Sequence, residues 1–216
     1  MEVYSTEEQQ AEAIKGFFRD NGVALAVGVV LGLGGLYGWK AYNQHTIETT
    51  ESLSDSYTQL VENAGQEGST LLTDADEFIK TNGSSSYSVL AAFVTAKEAV
   101  EKDDLDKAAE KLTWISVNSK NTEFKALAFT RLARIQLEQK QYDAALATLG
   151  NTLPESFKAT VAELKGDVYV AKNESEQARS AYQAAVDAGG LENNSLLQIK
   201  LDNLAVAALN VPVSEK

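Results

Sequence analysis

Residues 22–39 read GVALAVGVVLGLGGLYGW, eighteen consecutive positions without a charge. At about 1.5 Å per residue a helix of that length is roughly 27 Å long, close to the ~30 Å hydrocarbon core of a bilayer. Arg19 and Asp20 bound the run on one side and Lys40 on the other. Phe17 and Phe18 stand near the first boundary, and Tyr37, Trp39 and Tyr42 crowd the second. Such amphipathic rings favour the membrane–water interface. No other stretch is comparable, so one transmembrane helix is expected. A cleaved signal peptide and a buried core helix are the competing readings. The first calls for a short, positive leader, whereas Glu2, Glu7, Glu8, Glu12 and Asp20 all precede the run. The second has to tolerate glycine at 22, 28, 32, 34, 35 and 38, which weakens a helix in water.

Lys15 and Arg19 precede the span, and after Lys40 the next base is Lys80. Positive-inside logic then places the N-terminus in the cytoplasm and everything beyond the span on the far side. Gly28 and Gly32, and again Gly34 and Gly38, are four apart. Small residues at that spacing let a second helix approach closely, so these four are the candidate packing face; glycine is also common in spans without any such role.

Outward from the span, the 216-residue chain has 31 acids against 19 bases, a net charge of −12. Nucleic-acid binding is disfavoured, because it needs a basic face. Cysteine is absent, which excludes disulfides, thiolate metal sites and cysteine nucleophiles. His45 is the one histidine and has no local ligand set. No nucleophile elbow or phosphate-binding loop occurs. The run Asp103-Asp104-Leu105-Asp106 lacks the glycine and terminal glutamate of a calcium loop. It reads as a helix start, where acids face the positive end of the dipole. No catalytic residue, metal or cofactor is expected, and a membrane-tethered hydrolase would need a polar constellation that is missing.

The remainder reads as helices. Residues 41–63 continue as a polar helix with a weak stripe of Leu53, Tyr57, Leu60 and Val61. A break at 65–69 precedes a helix over 71–80, and a serine-rich break at 82–86 can cap the next one. Helices are then expected over 87–101, 105–117, 123–139, 142–149, 154–171, 175–188 and 195–209, with Pro154 in a first helical turn. Ala108, Ala145 and Ala178 occupy matching places in three of these, 37 and then 33 residues apart. A tetratricopeptide repeat has a period near 34 residues and needs a small residue where the helices of a pair cross. Gly166, Tyr169, Ala178, Tyr182 and Ala185 fit its spacing best, with Ala96 and Ala133 standing where Gly166 does. An ordinary helical bundle is the alternative. The expected fold is all-α: one N-terminal transmembrane helix followed by a tetratricopeptide-like helical-repeat solenoid. Its parts are a cytoplasmic segment (1–21), the span (22–39), juxtamembrane and capping helices (40–86), and repeats with a C-terminal helix (87–216).

Such a solenoid presents a concave wall from the first helix of each pair. The wall is expected to contain Leu90, Phe93, Lys97 and Val100, then Leu127, Thr130, Arg134 and Leu137, then Thr160, Glu163, Asp167 and Val170. Its mixture of apolar and charged groups suits an extended or helical segment of a partner. Simple packing inside the superhelix explains each residue equally well.

The segment Ala13-Ile14-Lys15-Gly16-Phe17-Phe18-Arg19-Asp20-Asn21-Gly22, leading into Ala24-Leu25-Ala26-Val27-Gly28-Val29 and closed by Gly38-Trp39, resembles the YfgM family. The likeness continues through Leu132-Ala133-Arg134-Ile135-Gln136-Leu137, Asp143-Ala144-Ala145-Leu146, Gly166-Asp167 and Ala178-Arg179-Ser180-Ala181. The resemblance implies an ancillary, non-enzymatic subunit of the bacterial Sec translocon. It would be a single-span inner-membrane protein with a periplasmic helical-repeat domain. It also implies two partners: the SecYEG channel and a membrane-anchored periplasmic chaperone of the prolyl-isomerase type. The function to expect is a scaffold that hands exported proteins to periplasmic folding factors. A holdase that receives unfolded exported segments in its own groove is the alternative.

Overall fold

A computed structural model describes residues 7–62, 64–66, 68–192 and 194–209, with the side chains of 7, 8 and 205–209 left aside. Glu2, Asn63 and Glu67, and the side chains of Glu7, Glu8, Val206 and Ala207, lie outside what is described. Among the described residues there are nine α-helices and no strand. They are α1 (Glu7–Val61), α2 (Leu71–Asn82), α3 (Ser86–Glu101), α4 (Leu105–Asn118), α5 (Thr122–Glu138), α6 (Tyr142–Thr148), α7 (Lys158–Ala171), α8 (Ser175–Asp187) and α9 (Leu196–Leu209). The chain forms two compact units, one reaching Ser54 and one starting at Asp55.

The first unit is helix. Its apolar window is wholly exposed, and among the described residues α1 is the one helix long and apolar enough to cross a membrane. A core helix of a folded domain would be mostly buried, and none of this window is. Beyond the window the helix turns polar, and Thr46, Thr49 and Thr50 each donate a hydroxyl hydrogen bond to the carbonyl four residues back.

In the second unit α3/α4, α5/α6 and α7/α8 form the repeated pairs, each helix packing on the next, with α2 against α3 and α9 against α8. Local chemistry sets their ends. Ser85, Asp104 and Asn121 accept hydrogen bonds from the backbone N–H groups of Ser88, Lys107 and Phe124 at the starts of α3, α4 and α5. Pro154 differs from the expectation. It is extended (φ −55°, ψ 148°) and precedes a 3-10 turn, Glu155–Phe157, so that α7 begins only at Lys158. Its fixed φ suits both conformations, and the turn is closed by the Phe157 N–H on the Pro154 carbonyl.

Each first helix ends the same way. Asp103, Lys140 and Asn173 are left-handed (φ near 60°) and recur 37 and 33 residues apart, in step with the small residues. Their N–H groups reach the carbonyls of Val100, Leu137 and Val170, and the next N–H in each case reaches the carbonyl five back. This is a Schellman ending, which ordinarily favours glycine. Lysine is the least suited of the three, since Asp and Asn tolerate this region better. Lys140→Gly is therefore expected to stabilise the repeat unit by about 0.5–1 kcal/mol, the relief of strain exceeding the added unfolded-state entropy. Urea unfolding followed by circular dichroism checks it, and a lower midpoint would contradict the account.

Ala108, Ala145 and Ala178 are all fully buried at the crossings. The largest core cluster joins Ile79, Val89, Phe93, Leu112, Ile115 and Leu132 across α2 to α5. A second joins Ala133, Leu149, Leu164 and Val168, and a third Tyr182, Ala185 and Leu197. Gly166 faces Tyr182 so closely that an added Cβ would meet ring atoms at 2.3 Å.

Ion pairs join the helices at the N-terminal end. Asp76 accepts from Lys107 Nζ at 2.7 Å and from Lys111, which also meets Glu110 at 2.8 Å. Glu98, almost fully buried, accepts from Lys102 Nζ at 2.7 Å and from the Gly65 N–H at 3.3 Å. Burial raises both carboxyls, but the hydrogen bonds outweigh it and hold Asp76 below its ordinary 3.8 and Glu98 below its ordinary 4.5. A depressed folded value means the stabilisation is present above those ordinary values and is lost as pH falls through the lower folded ones. The melting temperature should hold down to about pH 5 and then drop below about pH 4, and the drop should shrink in Asp76→Asn/Glu98→Gln. An unchanged acid limb in that variant would count against these two groups.

Candidate partner groove

Between α3 and α5 lies a cleft of about 580 Å³. Phe93, Val94, Ala96 and Val100 of α3, Leu112 of α4 and Ile135 of α5 give it an apolar floor. Lys97, Glu101, Arg131 and Arg134 are its charged groups. The two first helices meet through side chains. Phe93 stands edge-on to Phe124 with centroids 6.0 Å apart, and the Arg131 guanidinium lies 5.2 Å over the Phe93 ring. A cation stacked on a ring keeps its charge available while holding the aromatic in place. Lys97 and Glu101 pair at 3.3 Å. Among the described residues no carboxylate lies within ion-pair distance of Arg131 or Arg134.

Of the residues expected on the concave wall, Phe93, Lys97, Val100 and Arg134 come together here. Leu127 packs half-buried against the first core cluster, and Leu137 against the second. Leu90 and Thr160 are half-buried, and Val170 is exposed. Thr130 is buried, its hydroxyl donating to the Leu127 carbonyl at 3.0 Å, which satisfies a polar group inside the packing. Arg131 and Ile135 are the α5 lining residues that sequence reasoning missed. The signal was the spacing of Arg131 to Arg134, three apart and hence on one face.

Glu163 and Asp167 of α7 have partners within the chain. Lys200 donates to Glu163 at 2.8 Å and to Asp167 at 2.7 Å, Asn194 donates to Glu163 at 2.9 Å, and the Tyr182 hydroxyl donates to Asp167 at 2.7 Å. Burial and then the Asp167 carboxylate push the Tyr182 phenol upward, so it stays a donor. Burial lowers Lys200, but the two carboxylates outweigh it and raise the ammonium. Gly28, Gly32, Gly34 and Gly38 lie exposed on α1, with open space where each Cβ would stand. His45 is exposed, and among the described residues no group of three or more His, Asp or Glu side chains is placed to hold a metal ion.

The family model of a tetratricopeptide repeat-like domain matches residues 15–206. The chain is 38% identical over 207 residues to the "Ancillary SecYEG translocon subunit" of Escherichia coli (strain K12), covering 95% of this chain and 100% of that protein. It is 30% identical over 198 residues to the protein of the same name from Haemophilus influenzae, covering 92% and 97% of the two chains. With that of Neisseria gonorrhoeae it shares 31% over 209 residues, covering 94% and 100%. No solved structure matches it. The resemblance carried by the N-terminal motif and the repeat residues thus extends along nearly the whole length, and the chain belongs to the family of ancillary SecYEG translocon subunits, with a tetratricopeptide repeat-like domain.

Proposed function

We propose that this protein is a non-enzymatic scaffold, anchored in the bacterial inner membrane beside the SecYEG translocon, whose repeat domain links exported proteins to periplasmic folding factors. The observation that carries the reading is end-to-end similarity to translocon subunits, anchor and repeats together. Lys15 and Arg19 before the span, against Lys40 alone in the forty residues after it, support a cytoplasmic N-terminus and a periplasmic repeat domain. The channel is the partner for the anchor, with Gly28, Gly32, Gly34 and Gly38 as its packing face. A membrane-anchored chaperone of the prolyl-isomerase type is the partner for the repeat domain.

Photo-crosslinking residues at positions 28 and 32, and separately at 97 and 134, test this in cells. Adducts with SecYEG subunits from the first pair and with a periplasmic chaperone from the second are the expected result. Adducts confined to lipid and abundant bystanders would overturn the scaffold. The absence of cysteine makes topology directly testable. A single cysteine at Lys120 should react with an impermeant maleimide in spheroplasts, and one at Glu12 only after permeabilisation; the reverse pattern would invert the orientation.

The apolar floor of the groove favours one second reading, a holdase that takes unfolded segments directly. The full-length protein in nanodiscs would then suppress aggregation of a diluted, denatured client. Suppression that survives filling the floor by Val100→Trp would remove the groove from that role.

A further inference from the structure

We propose that the α3/α5 groove selects a partner segment in which carboxylates flank large apolar side chains, with Arg131 and Arg134 as the charge-reading pair. The proposal rests on the reading that the repeat domain engages partners, and it names the chemistry of the segment engaged. The chain carries a net charge of −12, yet this cleft is lined by three cations and one acid, and that acid already pairs with Lys97. What remains uncompensated is two guanidinium groups three residues apart on one helix face, both exposed.

A local cationic cleft on an acidic protein concentrates field where an anionic ligand docks. Guanidinium groups suit carboxylates, which they hold through paired, charge-assisted hydrogen bonds. Below them the floor of Phe93, Val94, Val100, Leu112 and Ile135 is apolar, with Val100 44% exposed. Water on that floor is released by an incoming apolar side chain. At about 580 Å³ the cleft falls within the ~300–1,000 Å³ range of ligand-sized sites. Two free cations are too few for a nucleic-acid track, whose binding depends on many phosphate contacts. Arg131 has a double role: it faces the ligand and, stacked on Phe93, holds the ring that begins the floor.

Full-length protein in zwitterionic nanodiscs is titrated into three fluorescein-labelled dodecapeptides, followed by anisotropy. One alternates glutamate with leucine and phenylalanine, one has lysine for each glutamate, and one has serine for each apolar residue. Saturable binding of the first alone is expected. Arg131→Glu/Arg134→Glu should weaken it about tenfold or more and turn the preference toward the lysine peptide. Arg131→Lys should recover only part of the affinity, because the ammonium does not reproduce the planar stack. Both positions are exposed, so the helical circular dichroism should not change. Binding of all three peptides alike, or of the first undiminished in the double variant, overturns the proposal. So does arginine-dependent capture of single-stranded DNA or anionic vesicles with no peptide binding. The photo-crosslinks from positions 28 and 32 are read both in the unaltered protein and in the double variant, where they should persist. Crosslinks that form in the unaltered protein, alongside absent or indiscriminate peptide binding by that same protein, leave the scaffold standing while the groove selectivity fails. Their absence in the unaltered protein removes the scaffold without touching the peptide result.

Discussion

Tyr182→Ala is expected to cost the repeat unit about 3–5 kcal/mol, enough to unfold α7, α8 and α9 from one another near room temperature. The side chain is 3% exposed, stands in the third core cluster with Ala185 and Leu197, and donates the hydrogen bond that engages Asp167. Truncation opens a cavity and also removes the polar anchor beside Lys200. Gly166→Ala alone should cost about 1–3 kcal/mol, because its Cβ would meet the tyrosine ring at 2.3 Å. Together the two changes should not add. Without the ring the methyl group enters vacated space, and alanine is a better helix former than glycine by about 1 kcal/mol. In the Tyr182→Ala background, Gly166→Ala is thus expected to change sign and stabilise. A double-mutant cycle by urea unfolding of the detergent-solubilised protein measures this coupling. Additive costs would mean that Gly166 and Tyr182 do not meet as the structure places them.

The second large effect concerns the anchor. Val29→Arg/Leu33→Arg puts two guanidinium groups on one face of the apolar helix, four residues apart, at positions now exposed. Each charge near the bilayer centre disfavours insertion by about 2.5–3.5 kcal/mol on the translocon scale. The pair should move the protein from the alkaline-carbonate pellet to the supernatant, whereas Val29→Ala/Leu33→Ala stays in the pellet. The melting transition of the repeat unit should be unchanged, because its core draws on residues from Leu71 onward, well beyond the apolar window. If the unaltered chain washes off in carbonate, the anchor reading is wrong. If the arginine pair stays in the pellet, something other than the helix's apolar surface retains the protein.

Most of the secondary structure was legible because its signals are local. Charge-free length marked the anchor, the serine run marked the start of α3, and the Asp103–Asp106 cluster marked the start of α4. The recurrence of Ala108, Ala145 and Ala178 carried the pairing, and all three prove fully buried. The left-handed residues at 103, 140 and 173 follow the same spacing but passed unnoticed, since glycine is the expected marker and none of the three is glycine. The groove was half legible. Phe93, Lys97, Val100 and Arg134 line it, while on α5 the expected face is rotated by about one residue, with Thr130 inside and Arg131 at the cleft. A threonine that satisfies its own hydroxyl on the backbone packs as a small apolar residue, and nothing in a binary pattern announces that.

The amino-acid sequence by itself determined that this chain is a series of helices with short breaks, that one segment is suited to lipid, and that the rest repeats in pairs around small residues. Those properties are periodic, and a period is written residue by residue. Only the tertiary structure decided which charges are spoken for: Glu163 and Asp167 by Lys200, Asp76 by Lys107 and Lys111, and neither Arg131 nor Arg134 by any described carboxylate. Ion pairing across helices depends on how far each helix is rotated and slid against its neighbours, and a fraction of a turn exchanges one partner for another.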